Sequence, residues 1–148
     1  MIVETSLIVG WREWRLEGTI TEPRLQSISM EDIWPVRKPM QVFDTNWNID
    51  PGNNGIHAFK TFRDYQRERG FISTHLVGEV WMWGHMVEHQ FGWRSEFAYP
   101  KRLLVAPGRH DPIKLMALEE AYGVSVEESD KFPHVAKNYS DISKGKRP

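Results

Sequence analysis

The residues of this chain that best match a catalytic motif are His85, Glu88 and His89, in the order His-Met-Val-Glu-His. The order matches the His-x-x-Glu-His motif of one class of zinc peptidases, in which two histidines one helical turn apart hold the metal. The surrounding sequence predicts a strand instead, because Gly84 precedes the motif and a β-branched and aromatic run leads into it. On a strand the two histidines would lie about 13 Å apart, which is too far for one ion without a bulge. We expect no metal site, and a hydrolase based on these three residues is the least favoured function.

Two carboxylates in the same region suggest ordinary ion pairs. Glu88 could lie opposite or diagonal to Arg94 across a hairpin and form a cross-strand pair. Glu79 lies within the apolar run, where a buried acid needs a cationic partner such as Arg12 or Arg15. A pair of acids for general acid–base catalysis is the alternative, and it would need one carboxyl group with a raised pKa.

Tryptophan and arginine are the residue types that favour a binding function. The chain has 7 tryptophans in 148 residues. Indole rings can stack on a base, and guanidinium groups can hold a phosphate. We expect a non-enzymatic binding module for nucleic acid, a nucleotide or a similar planar anionic ligand. The expected ligand-binding residues are Trp11, Arg12, Trp14, Trp83, His85, Glu88, Trp93 and Arg94. No catalytic residue and no cofactor is expected.

Two alternatives stay open for the same residues. Most of the tryptophans could be core or half-buried sheet residues. Exposed aromatic residues and arginine could instead anchor a host or complex protein, which would make the chain an adaptor or a phage-encoded inhibitor.

Composition limits the classes of function. The formal net charge is −1, whereas a general polyanion-binding domain is usually basic. The chain has 0 cysteines, which excludes disulfides and cysteine-held zinc. No run is apolar for long enough to span a membrane as a helix, and the N-terminal residues lack the basic region of a signal peptide. We expect a cytoplasmic protein without a membrane partner.

Side-chain types that alternate along the sequence, together with turn-forming residues, predict several short strands and one hairpin. The predicted strands cover residues 7–16, a short segment including Leu25 and Ile28, and residues 40–43, 56–59 and 103–105. Residues 76–90, with a bulge at Gly84, should pair antiparallel with residues 93–99 through a turn at Phe91-Gly92, and Pro100 should end the ribbon. Residues 44–55 are rich in turn formers and predict a loop.

Two capped helices complete the prediction. The first has Thr61 as N-cap and Gly70 as its stop, and the second runs from Asp111 to Gly123. Its predicted apolar side consists of Ile113, Leu115, Met116, Leu118 and Tyr122. The expected fold class is α+β, a small bent antiparallel sheet or open β-barrel with two packed helices. Residues 1–126 should form a single globular domain, and 127–148 a polar C-terminal extension.

Several stretches together resemble a group of small uncharacterised proteins from bacteria, archaea and phages. They are residues 10–16 (Gly-Trp-Arg-Glu-Trp-Arg-Leu), 55–60 (Gly-Ile-His-Ala-Phe-Lys), 78–89 and 94–100. In the group the last two read roughly Gly-Glu-Val-x-Leu-Trp-Gly-x-Val-x-Glu-His and Arg-Ala-Glu-x-Ala-Tyr-Pro. Many members carry a Cys-x-Cys pair that suggests a structural zinc. Gly52 and Asn54 occupy the matching positions here, so the resemblance implies no metal site in this chain, and it implies no particular activity.

Overall fold

Eight strands and two helices follow one another in the part of the chain that the computed structural model describes. That part comprises residues 2–3, 7–28, 32–42, 55–69 and 74–129, with the backbone alone for 2–3. The strands are β1 (Ile2–Val3), β2 (Ile8–Gly18), β3 (Pro23–Ser27), β4 (Met40–Gln41), β5 (Ile56–Phe59), β6 (Leu76–Glu88), β7 (Gly92–Val105) and β8 (Ser125–Glu128). The helices are α1 (Phe62–Arg69) and α2 (Pro112–Tyr122). Residues 44–54 of the predicted loop 44–55, the predicted stop at Gly70 and residues 130–148 of the predicted extension lie outside the described residues. The first two residues of that extension, 127 and 128, belong to β8.

The antiparallel hairpin predicted for residues 76–99 is confirmed as the pair of β6 and β7. Its turn was placed wrongly, because β6 ends at Glu88 and Gly92 already belongs to β7. Its second strand is longer than expected. β7 runs through Pro100 to Val105, so the prediction that Pro100 ends the strand, with residues 103–105 as a separate strand, was wrong.

A bulge explains how the strand passes its proline. Val80 pairs with Pro100 and Glu79 with Arg102, which leaves Lys101 as an extra residue in β7. A proline has no N–H for the ladder and is tolerated at such a bulge. A second register shift, between Trp83 and Met86, confirms the bulge predicted around Gly84.

The central strands form a partial ring. β6 pairs with β2, β2 with β5, β5 with β7, and β7 returns to β6. The contact between β2 and β5 is a single bridge, Trp11 with Phe59, and it forms the seam of the ring. β1, β3, β4 and β8 extend the sheet, and all pairs are antiparallel except that of β7 with β8. The predicted α+β class with a bent sheet and two helices is confirmed.

The main core fills the inside of this bent sheet. Trp14 and Trp34 meet edge to face there, with ring centroids 5.4 Å apart, and both are buried. The other fully buried members include Leu25, Leu76, Val80, Met82, Ala98, Leu103 and Leu118. A smaller cluster of Tyr65, Val77, Leu104 and Ala106 lies under α1.

Both helices begin at the predicted caps. The Thr61 hydroxyl accepts a hydrogen bond from the N–H of Asp64 at 3.0 Å, and the Asp111 carboxylate accepts one from the N–H of Ile113 at 2.8 Å. α2 ends at Gly123, which has φ 69° and donates to the Glu119 carbonyl. Such a left-handed residue is a common helix stop.

The buried side of α2 is narrower than predicted. Leu118 and Tyr122 are buried, but Ile113 and Met116 are 63% and 69% exposed. Their assignment to the packed side was wrong, because the helix turns its Leu118 and Tyr122 edge to the core and leaves these two in solvent.

Candidate functional site

The structure does not bring the eight predicted ligand-binding residues to one surface. Side chains alternate along β2, so Trp11 lies on one side of the sheet while Arg12 and Trp14 lie on the other. Trp11 packs edge to face on Phe62 of α1, with centroids 5.2 Å apart. Trp14 is fully buried in the main core and offers no ring face to a ligand.

Arg12 bridges the seam of the partial ring. Its Nη1 donates to the His57 carbonyl of β5 at 2.8 Å, where β2 and β5 have already separated. Its guanidinium carbon lies 5.0 Å from the centre of the Trp34 ring. Burial lowers the pKa of Arg12 to about 10, which leaves the group charged at neutral pH. Arg12 therefore holds two strands together.

Arg94, His89 and Glu88 lie at the end of the hairpin, with different partners from those predicted. Arg94 is 1% exposed and donates from Nε to Nε2 of His89 at 3.1 Å. Glu88 lies opposite Trp93 and pairs with Lys60 at 2.6 Å, so the predicted Glu88–Arg94 pair was wrong. A lysine from the neighbouring segment reaches the carboxylate, while the arginine points inward.

The electrostatics of His89 fit a neutral ring. Burial and the nearby Arg94 charge lower the pKa of His89. A neutral ring can accept the Arg94 hydrogen bond at Nε2, whereas a protonated ring could not.

His85 does not share a metal-binding arrangement with His89. His85 lies in β6 and His89 directly follows that strand, so they are not on successive helical turns, and the backbone N–H of His85 donates to the Glu96 carboxylate at 3.1 Å. Among the described residues, no group of three or more His, Asp or Glu side chains is placed to hold a metal ion.

Glu79 has cationic partners, but not those predicted. It pairs with Arg102, directly opposite on β7, and its other oxygen lies 3.6 Å from Lys101 Nζ. The prediction of Arg12 or Arg15 was wrong, because the hairpin bulge brings two cations of β7 onto the same carboxylate.

The candidate site is an open groove of about 600 Å³ on the outer side of the β6–β7 hairpin. Its lining residues are Leu7, Arg37, Lys38, Pro39, Trp81, Trp83, Tyr99 and Tyr122. We call it the aromatic groove. Of the eight predicted ligand-binding residues, Trp83 is the one that lines it.

Strand register explains why aromatic rings collect in the aromatic groove. Trp81 lies opposite Tyr99, and Trp83 lies opposite Phe97. Residues directly opposite in an antiparallel pair share a face of the sheet. Trp83 and Phe97 stack, with centroids 5.7 Å apart and planes inclined by 13°. The groove therefore has a floor of flat rings.

One wall of the aromatic groove comes from the turn before β4. Arg37 in that turn has φ 57°, a left-handed conformation that is uncommon for a residue other than glycine. Its backbone N–H donates to the Tyr99 hydroxyl at 3.0 Å, and its Nη2 donates to the Glu120 carbonyl at 2.6 Å. The Tyr99 hydroxyl in turn donates to the Tyr122 carbonyl at 2.6 Å. These bonds fix the wall to the sheet floor and to the end of α2.

The charge of the aromatic groove is positive. Two of its described lining residues, Arg37 and Lys38, are cationic, and none is acidic. The Tyr122 hydroxyl is occupied inside the core, where it donates to the Trp34 carbonyl at 2.6 Å. Burial raises the pKa of Tyr122, which keeps the phenol neutral. The geometry suits a flat ligand with an anionic group.

Most residues of the aromatic groove cannot be recognised from local sequence patterns, for a physical reason. The alternation of Trp81 and Trp83 indicates that both rings share one face of a strand. The wall residues Arg37 and Lys38 lie more than forty positions earlier and reach the groove through the pairing of β4 with β7. No local pattern reveals that pairing.

A second polar cluster that the sequence did not reveal lies under α1. The Glu13 carboxylate is 6% exposed and accepts hydrogen bonds from the Tyr65 hydroxyl at 3.0 Å and Arg69 Nε at 2.8 Å. His75 Nδ1 lies 3.3 Å away. Burial, reinforced by the Glu13 charge, raises the pKa of Tyr65. We call this group the Glu13 cluster, and it joins α1 and the start of β6 to β2.

No family model, curated protein or solved structure matches the chain. In the described residues, no helix is both long and apolar enough to cross a membrane.

Proposed function

We propose that this chain is a non-enzymatic binding module and that the aromatic groove holds nucleic acid, a nucleotide or a similar planar anionic ligand. The observation that carries the proposal is the combination of Trp81, Trp83 and Tyr99 with two cations and no acid among the described lining residues. Aromatic rings stack on bases whatever their identity, and a cation supplies the phosphate contact.

The other tryptophans support the choice of the aromatic groove over the remaining surface. Arg102 lies 5.8 Å from the ring centre of Trp11, and Lys60 lies 5.1 Å from that of Trp93. Neither ring lines the groove. Trp81 also has a cation beside it, Lys101 at 5.2 Å from the ring centre, but Trp81 does line the groove. Trp83 instead stacks on Phe97 and lines the groove.

The proposal includes no catalytic residue and no cofactor, and it places the module in the cytoplasm. A hydrolase is not favoured, because Glu88 is engaged by Lys60 and His89 by Arg94.

The first experiment is a titration followed by tryptophan fluorescence, with three probes. A nucleoside monophosphate should quench the fluorescence at a lower concentration than the matching nucleoside or inorganic phosphate, since it alone offers both a ring and a charge. Trp83→Ala should weaken its binding about 5- to 150-fold, the effect of one base stacking contact. Trp93→Ala, outside the groove, is the matched control and should leave the affinity unchanged.

A second candidate is an adaptor or a phage-encoded inhibitor that binds another protein. The exposure of Ile113 and Met116 on α2 favours it, because two neighbouring apolar side chains in solvent can anchor a partner. It should replace the first proposal if no nucleotide or oligonucleotide changes the fluorescence. A host protein would then have to bind the original chain but not the Ile113→Ser, Met116→Ser double variant.

A further inference from the structure

The spacing of two groove tryptophans narrows the class of ligand. Trp81 and Trp83 are two residues apart on one face of β6, so their positions repeat after about 6.6 Å along the strand. Neighbouring bases in one strand of a duplex are about 3.4 Å apart. Bases that rest on both rings must therefore be unstacked from each other, as in an extended single strand.

Cations lie near the rings of the aromatic groove. Arg37 and Lys38 line the aromatic groove along the wall formed by the turn before β4. Lys101 Nζ lies 5.2 Å from the centre of the Trp81 ring and 3.6 Å from the Glu79 carboxylate, which partly neutralises its charge. A phosphodiester between two bases would thus meet the groove cations Arg37 and Lys38, while the lining residues described include no carboxylate that would repel it.

We propose that the aromatic groove binds single-stranded nucleic acid as two consecutive unstacked nucleotides, with one base on Trp83, the next on Trp81, and the linking phosphate near Lys38. This inference rests on the proposed function and makes it more specific. A duplex is excluded as the preferred ligand, because its base faces are covered by stacking. A net charge of −1 predicts weak binding outside the groove, so affinity should depend on the two stacking positions.

The test is a length series measured by fluorescence quenching and calorimetry, with thymidine monophosphate, dT2, dT4 and dT8. Affinity should rise about 5- to 150-fold from the monophosphate to dT2, because the second base can stack on the second tryptophan. It should change little from dT4 to dT8. A U4 strand is measured beside dT4; binding of either supports the proposal, and the stronger of the two identifies the sugar that the site prefers.

Two variants with matched controls locate the strand. Trp83→Ala should abolish the advantage of dT2 over the monophosphate, whereas Trp93→Ala should preserve it. Lys38→Ala should reduce the slope of log affinity against log salt by about 0.7, the value for one phosphate contact on a single strand. Arg67→Ala, which removes a charge that is 50% exposed beside Asp64, should leave the slope unchanged. Thermal melts of each variant confirm that it is folded.

The outcomes separate this inference from the proposed function. Equal affinity for the monophosphate and dT2 would overturn the two-nucleotide site and leave a one-base site in place. Duplex DNA that binds as tightly as dT8 would also overturn it. Absence of binding by every probe, with the fold intact, would overturn both the inference and the proposed function.

Discussion

Arg37 combines an unfavourable backbone conformation with a side chain that secures α2. Its positive φ is a cost that the neighbouring hydrogen bonds must offset. The guanidinium meets the helix where carbonyl groups lack partners within the helix, and it donates to Glu120 there. One residue thus links the groove wall to the helix end.

A pair of substitutions separates these two effects. Arg37→Gly and Arg37→Ala both remove the guanidinium, but alanine alone keeps the penalty of a left-handed residue. The glycine variant should be more stable by about 1 kcal/mol in urea unfolding. Equal stability of the two variants would show that the backbone at this position relaxes.

His89 and His110 predict a loss of stability in mild acid. Burial lowers the pKa of both below the ordinary 6.5, assisted by Arg94 and Lys114 respectively. The unfolded chain therefore binds protons more tightly at these positions, so protonation favours unfolding. The free energy of unfolding should fall as the pH drops through 6.5, and the contribution of each histidine should become constant below its folded pKa.

Single variants test this assignment. His89→Gln and His110→Gln should each reduce the pH dependence of stability between about pH 7 and 5, since glutamine does not titrate. Chemical unfolding at several pH values gives the slope. An unchanged slope in the double variant would assign the effect to other groups.

At the scale of elements, α2 is attached through a narrow apolar edge. Leu118→Ala should lower the free energy of unfolding by about 2–4 kcal/mol, through lost burial and a cavity. Met116→Ala is the matched control, because Met116 is 69% exposed, and it should change stability by less than about 0.5 kcal/mol. Denaturant unfolding measures both free energies. Similar losses of stability in the two variants would mean that α2 does not pack through its Leu118 side.

Glycine in β6 allows the close approach of β7. A Cβ at Gly78 would lie 2.2 Å from the carbonyl oxygen of Arg102, an overlap that only a backbone shift can relieve. Gly78→Ala should therefore destabilise the protein by about 1–3 kcal/mol. At Gly108, with φ +72° and no atom within 4 Å of the added Cβ, alanine should cost only the conformational penalty of about 1 kcal/mol. Thermal unfolding of both variants separates overlap from conformation.

Sequence patterns predict the elements better than the contacts between them. The hairpin, both helix caps and the bulge near Gly84 follow from local alternation and local hydrogen bonds. The continuation of β7 beyond Pro100 does not follow from local patterns, because it depends on a bulge in the pairing with β6. The exposure of Met116 does not follow from local patterns either, because it depends on which side of α2 packs against the core.

At the scale of the whole molecule, the Glu13 cluster connects parts that are distant in sequence. Glu13→Gln should lower the free energy of unfolding by about 1–3 kcal/mol, because a buried carboxylate that accepts from Tyr65 and Arg69 is replaced by a weaker acceptor. Glu120→Gln, on the exposed side of α2, is the control and should have little effect. Urea unfolding provides the comparison, and equal stabilities would show that the cluster is energetically neutral.

The candidate site is harder to predict from the sequence than the fold, because its residues are far apart along the chain. Sequence patterns single out Trp83, which lines the aromatic groove, but they group it with Trp14 and Arg94, which the bent sheet buries. Which tryptophans point outward depends on the side of each strand that the sheet turns to the core. The position of Lys38 depends on the pairing of β4 with β7, whose paired residues are more than fifty positions apart in the sequence.

The single bridge at the seam has a consequence for the order of folding. The β6–β7 hairpin joins residues that are near in sequence, whereas the seam joins β2 to β5, more than forty residues away. Closing long loops before contacts are gained is slow. We therefore expect the hairpin to be formed in the rate-limiting transition state and the seam to close after it. Substitutions at Arg12 should then mainly accelerate unfolding, while substitutions within the hairpin slow refolding.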